Sequence, residues 1–135
     1  MFGPAGARSA SAYKQMGLHT TVDAASPHAL IMMLFDGLQQ TLKSLVVTLD
    51  NKSSNEEKMR LIEKSIRIIQ EGLLAPLDKE NGGELAENLS ALYEYCINRL
   101  VLANVKNDVQ LVKEVQDLLD PVAKAWQEIA PQTGA

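Results

Sequence analysis

Two histidines and one cysteine are the side chains with which this chain of 135 residues could do nucleophilic or metal chemistry, and their spacing supplies little of it. A di-iron centre in a helical bundle takes Glu-x-x-His pairs that face inward. Neither His19 nor His28 follows a glutamate by three. His19 lies in a polar N-terminal stretch, and His28 falls in what reads as the first turn of a helix, where its side chain is expected to be solvated. A phosphotransfer histidine would instead stand exposed in mid-helix beside a lysine. Cys96 sits in an apolar stripe, the place of a buried inert thiol rather than a nucleophile, and no disulfide can form within one chain. No Gly-rich phosphate loop, Ser-His-Asp set or Cys-His pair can be assembled. The sequence points to a protein that is not an enzyme and uses no metal or cofactor.

Charge narrows the partners. The formal net charge is −4, with 17 acidic and 13 basic residues. No Lys/Arg cluster of the kind that neutralises phosphates is present, so no nucleic-acid partner is expected. From Asp108 onward, five acids (Asp108, Glu114, Asp117, Asp120, Glu128) stand against Lys113 and Lys124. That is a solvated acidic face or a docking surface for a basic partner. No N-terminal run resembles a signal peptide, and no stretch approaches the roughly 18 apolar residues of a membrane span. The expected location is cytoplasmic, without direct membrane insertion.

The elements follow from hydrophobic period and caps. Of the residues, 46% are hydrophobic but only 4% aromatic, the palette of an aliphatic helical core. Residues 1–25 are rich in Gly, Ala, Ser and Thr and are expected to form a flexible tail, with a short helical turn at 12–16 that presents Tyr13 and Met16. Ser26-Pro27 is a strong helix start, and the pattern predicts a helix to about Leu49. Gly37 within it lowers propensity and would be tolerated to let something pack closely. Ser54-Asn55-Glu56-Glu57 offers a capping box for a second helix that ends near Leu74, before Pro76. Its core stripe reads Met59, Ile62, Ile66, Ile69 and Leu73, with Leu61 and Ile68 on a separate apolar line.

Asn81 to Asp108 reads as one long helix with Leu85, Leu89, Leu92, Cys96, Leu100 and Ala103 on its stripe, widened by Tyr93 and Ile97. Tyr95 and Leu102 flank the other side, so this helix is expected to be surrounded and central. Asn107 suits a helix end and Asp108 a new N-cap. The last helix carries Leu111, Val115, Leu118, Val122, Ala125 and Ile129, with a kink or break expected around Asp117 to Pro121. The predicted fold is all-α: an antiparallel up-down-up-down four-helix bundle over 26–130, preceded by a tail with a short helical segment.

Met32, Met33, Leu61 and Ile68 exceed what one core stripe needs. A fuller core, a homodimer seam or a groove for an amphipathic segment would each account for them. The tail is either an incidental peptide or one that docks reversibly on the bundle. Periodicity leaves a binding module and a homodimeric structural or adaptor bundle both open.

The residues resemble the flagellin-specific export chaperones of the FliS family along nearly the whole chain. The likeness runs through Ala12-Tyr13-Lys14-Gln15, Ala25-Ser26-Pro27-His28-x-Leu30, Met33-Leu34-Phe35-Asp36-Gly37 and Leu77-Asp78-x-Glu80-x-Gly82-Gly83-Glu84. It continues through Asn88-Leu89, Leu92-Tyr93-x-Tyr95, Arg99-Leu100, Ala103-Asn104, Asn107-Asp108, Glu114-Val115 and Ala125-Trp126. Pro76, Pro121 and Cys96, where methionine is usual, depart from the pattern. The resemblance implies a cytoplasmic chaperone of flagellar type III secretion. It would bind the disordered C-terminal segment of flagellin, prevent premature polymerisation and deliver the subunit to an export gate component, as a monomer when bound to flagellin. It further implies that the tail covers part of the groove. On that basis Tyr13 and Met16 are expected as lid residues, and Met33, Leu61, Ile68 and Tyr93 as the flagellin-binding groove.

Overall fold

The chain enters its first helix at Ser26, whose hydroxyl accepts from the Ala29 N–H at 3.1 Å while Pro27 fills the first helical position, where no N–H is needed. Residues 26–129 are described by this computed structural model. Helix α1 spans Pro27–Asp50, α2 spans Asn55–Arg67 and passes without interruption into a π-helical segment Ile68–Leu74, α3 spans Gly83–Lys106 and α4 spans Val109–Glu128. Together they form an all-α four-helix bundle. Short connections make successive helices antiparallel neighbours. α1 packs against α2 and α4, and α3 against α2 and α4, so α1 and α3 lie on a diagonal.

That order corrects the expectation of a central α3. The most deeply buried helix is α1: Leu34, Leu38, Leu42 and Leu45 have no exposed surface. By length and composition α1 is also apolar enough to cross a membrane, contrary to the reading that no stretch approaches that limit. Its leucines spend that hydrophobicity on the bundle interior instead. α3 buries Ala86, Ser90, Tyr93, Cys96, Leu100 and Ala103, whereas Leu85, placed on the core stripe by period, is 68% exposed. α4 buries Leu111, Val112, Val115 and Leu119, which leaves Ala125 and Ile129 of the expected stripe exposed.

Of the stripe expected for the second helix, Ile62, Ile69 and Leu73 are buried in the core, whereas Met59 is 42% exposed and Ile66 only half-buried; Leu61 and Ile68, read as a separate line, belong to the core as well. Ser65, wholly buried, sits at the middle of the true inner face, its hydroxyl donating to the Leu61 carbonyl at 2.9 Å. A hydroxyl satisfied within its own helix can occupy a core that a hydrophobic count assigns elsewhere. The π segment then packs against both α1 and α3. Its Gly72 permits the approach to α1, since a Cβ there would lie 2.8 Å from Leu34 Cδ1. Gly72→Ala is expected to lower unfolding free energy by about 1–2 kcal/mol through overpacking, read as a lower denaturant midpoint at unchanged slope.

Helix ends follow local chemistry. Ser54 caps α2 by accepting from the Glu57 N–H at 3.2 Å, but the Glu57 carboxylate turns to Arg60 at 2.6 and 3.1 Å, so the capping box is half formed. Gly83 opens α3 with φ +59°, a left-handed conformation suited to glycine. Asn107 closes α3 in the same region (φ 51°), and Asp108 caps α4 by accepting from the Gln110 N–H at 2.9 Å. Lys58, 8% exposed, reaches across from α2 and donates to the Asn104 carbonyl at 3.2 Å and Asn107 Oδ1 at 2.7 Å. A cation there meets the negative end of the α3 dipole.

The expected break in α4 is absent. The helix runs on through Pro121, which lies at an exposed position. Nor is His28 solvated. Its Nε2–H donates to the Trp126 carbonyl at 2.8 Å, the Trp126 indole N–H donates to the His28 carbonyl at 3.2 Å, and the rings stack with centroids 5.4 Å apart. This reciprocal clasp ties the first turn of α1 to the last turns of α4.

Candidate functional site

Leu61, Ile68 and Tyr93 come together in the hydrophobic core, and Met33 packs against that cluster from α1 while half-buried. Leu61 and Ile68 are therefore core residues and not a surplus surface line. Leu61 and Tyr93 are each 4% exposed and Ile68 not at all, so of the four only Met33 offers appreciable surface in this conformation. Burial pushes the Tyr93 hydroxyl up to about 12 and, as the leading cause again, the Cys96 thiol to about 12. Both stay neutral and contribute packing. Tyr13 and Met16, with the whole 1–25 tail, lie outside the described residues.

Exposed apolar side chains concentrate elsewhere. Among the described residues the large exposed hydrophobics are Val47, Met59, Leu85, Tyr95, Val101, Val105 and Ile129, so four of seven belong to α3. α3 presents them because small or hydroxylated residues, Ala86, Ser90 and Ala103, share its inward side with Tyr93, Cys96 and Leu100. The feature missed in the sequence is the outward side of this helix; its signal was the pair Tyr95 and Leu102, which sits away from the Cys96 stripe.

Tyr95 is held in place there. Its hydroxyl donates to Glu114 Oε2 at 2.6 Å, Arg99 Nε donates to Glu114 Oε1 at 2.7 Å, and the Arg99 guanidinium lies 5.3 Å from the Tyr95 ring centroid. The bond to the carboxylate raises the Tyr95 pKa, while the Tyr95 hydroxyl first and Arg99 second lower that of Glu114. A tyrosine and an arginine ordered by one carboxylate make a pre-organised contact pair, with little side-chain entropy left to lose on binding.

The concavities are modest. A cleft of about 220 Å³ lies between α1 and α4, lined by Gln39, Lys43, Asp117 and Asp120 among others. A second, of about 350 Å³, lies at the end of the bundle where Lys52, Asn55 and Lys58 approach Asn107. Among the described residues no three His, Cys, Asp or Glu side chains gather as metal ligands would.

Comparison with known proteins adds to this geometry. A family model described as flagellar protein FliS matches residues 9–133. The chain is 46% identical over 121 residues to the flagellar secretion chaperone FliS of Salmonella typhimurium, covering 90% of this chain and 89% of that one. It is 39% identical over 122 residues to the flagellar secretion chaperone FliS of Escherichia coli K12, with 90% and 89% covered. To the flagellar secretion chaperone FliSB of Pseudomonas aeruginosa it is 42% identical over 118 residues, covering 87% and 92%.

Proposed function

Because this chain belongs to the FliS family of flagellar secretion chaperones, we propose that it binds the disordered C-terminal segment of flagellin in the cytoplasm. By covering that segment it prevents premature polymerisation, and it delivers the subunit to an export gate component of the flagellar type III apparatus. The observation that carries this reading is the apolar surface that the helices of the bundle leave exposed among the described residues. An unfolded segment with apolar residues is an aggregation hazard in water. Burying it gains roughly 25 cal/mol per Å² of apolar area, and the entropy of ordering it keeps the complex reversible.

Met33 is the contact we assign first, with Leu61, Ile68 and Tyr93 behind it as groove residues that flagellin reaches when neighbouring side chains move. Tyr13 and Met16 are assigned as a lid that competes for the same groove. Closure would lower the apparent affinity in proportion to the fraction of closed molecules. The complex is one to one, with the chaperone monomeric.

Isothermal calorimetry of the full chain with a synthetic flagellin C-terminal peptide is expected to give saturable one-to-one binding, with heats that become more exothermic on warming as apolar surface is buried. No heat at two well-separated temperatures, with the chain still folded by circular dichroism, would sink the reading.

A further inference from the structure

Asn81-Gly82 is the one Asn-Gly pair in the sequence. It lies exposed in the turn between the π-helical segment and α3, and neither the bundle core nor the flagellin reading uses it. Asparagine before glycine is prone to cyclise, because glycine has no side chain to shield its backbone nitrogen from the preceding carboxamide. The Gly82 nitrogen gives up its proton to solvent and attacks Asn81 Cγ; the N–Cγ bond forms, the Cγ–Nδ2 bond breaks and ammonia leaves. Water then opens the succinimide at either carbonyl, giving aspartate or isoaspartate. No reagent other than water is consumed.

The fold imposes this reactive pair. A Cβ at position 82 would lie 2.6 Å from the Ala86 Cβ and 2.6 Å from the Asp78 carbonyl oxygen, so the tight entry to α3 selects glycine there. The same turn restrains both nitrogens that must move. The Gly82 N–H, on the attacking nitrogen, donates to the Asp78 carbonyl at 2.7 Å. Asn81 Nδ2, the leaving nitrogen, donates to Asp78 Oδ2 at 3.0 Å, and the Asn81 N–H donates to Asp78 Oδ1 at 3.1 Å. The Asn81 side chain first and its backbone N–H second hold the Asp78 carboxyl below its usual pKa, so it stays an ionised acceptor.

We propose that Asn81 is a deamidation site of this chain, and that Asp78 slows the reaction in the folded protein by holding the attacking and the leaving nitrogen in hydrogen bonds. The Asp78 carboxylate does not act as the base, since the Gly82 N–H is bonded to the carbonyl of that residue and not to its side chain. Cyclisation waits for the turn to open, and the folded rate is the unfolded rate scaled by the open fraction. The products undo the restraint. An aspartate sets a second carboxylate where Asp78 had a donor, and an isoaspartate adds a methylene to the main chain between the Asp78 carbonyl and the Gly82 N–H.

The test incubates the full chain at physiological temperature and mildly alkaline pH, folded and in guanidinium chloride, and follows each asparagine by peptide mass spectrometry. In the denaturant Asn81 is expected to deamidate ahead of Asn88 and Asn98; in the folded chain its rate is expected to fall about tenfold. Asp78→Ala, at an exposed position, is expected to raise the folded rate severalfold with thermal melting still cooperative. Asp78→Asn keeps one accepting oxygen and should lie between, which gives the same test if the alanine variant does not fold. No modification of Asn81 in the unfolded chain overturns the site. Equal folded and unfolded rates overturn the restraint. An unchanged rate in the Asp78 variants removes Asp78 from it, and a slower one would make the carboxylate a base and the proposal wrong.

Discussion

Replacing Lys58 by glutamate is expected to lower the unfolding free energy by about 3 kcal/mol, the scale seen when a buried charge loses its partners. Lys58 is 8% exposed as a residue, and its ammonium is bonded to two oxygens, the Asn104 carbonyl and Asn107 Oδ1. A carboxylate in that place would face the Asn104 carbonyl and the negative end of the α3 dipole. Lys58→Met separates charge from packing. It retains much of the stem's burial and leaves acceptors that water in the neighbouring cleft can reach, so its loss is expected to be about 1 kcal/mol. Urea titration of both variants checks the order, and equal midpoints for Glu and Met would remove the electrostatic account.

Trp126→Ala is the second large effect, expected at about 2 kcal/mol. The substitution deletes the stacked ring and the indole N–H bond to the His28 carbonyl, and opens a void at the junction of α1 and α4. Full burial would raise the figure, but Trp126 is half-buried. Trp126→Phe keeps a stacking surface and loses the donor, so it should recover about half of the deficit. Native-state amide exchange locates the damage: faster exchange confined to the first turn of α1 and the last turns of α4 is the expected pattern. Uniform acceleration across the bundle would mean that the clasp sustains global rather than local stability.

The helix starts and stops were legible in the sequence because each depends on a few adjacent residues. Ser26 with Pro27, Ser54, and the Asn107-Asp108 pair act within one turn of themselves. Facing is less legible, since it depends on which neighbour a helix meets. In α2 the buried Ser65 disguised the inner face, so Leu61 and Ile68 read as surplus when they are core. In α3, Leu85 outscored Ala86 and Ser90 in hydrophobicity, yet the two small residues are the ones turned inward. The His28 clasp joins residues 98 apart in sequence, and no local pattern signals such a pairing.

For the candidate site, the family resemblance came from ordered matches along the chain, and residue roles did not follow with it. Tyr93 and Tyr95, two positions apart, occupy opposite environments. One is packed beside Cys96 in the core, and the other stands at the surface bonded to Glu114. A rotation of about 200° between them is invisible to a count of aromatics and decisive for which can touch a partner.

The π-helical turn at Ile68–Leu74 bears on how the chain can change in length. A wide turn stores a residue beyond what an α-helical path over the same rise would hold. Sequence drift could therefore remove one position from this segment without turning Leu61 away from the interior, whereas a deletion midway through α1 would swing every following leucine by about 100°. The bundle thus has one stretch where an insertion or deletion is absorbed locally, in the helix that leads into the longest connection between helices.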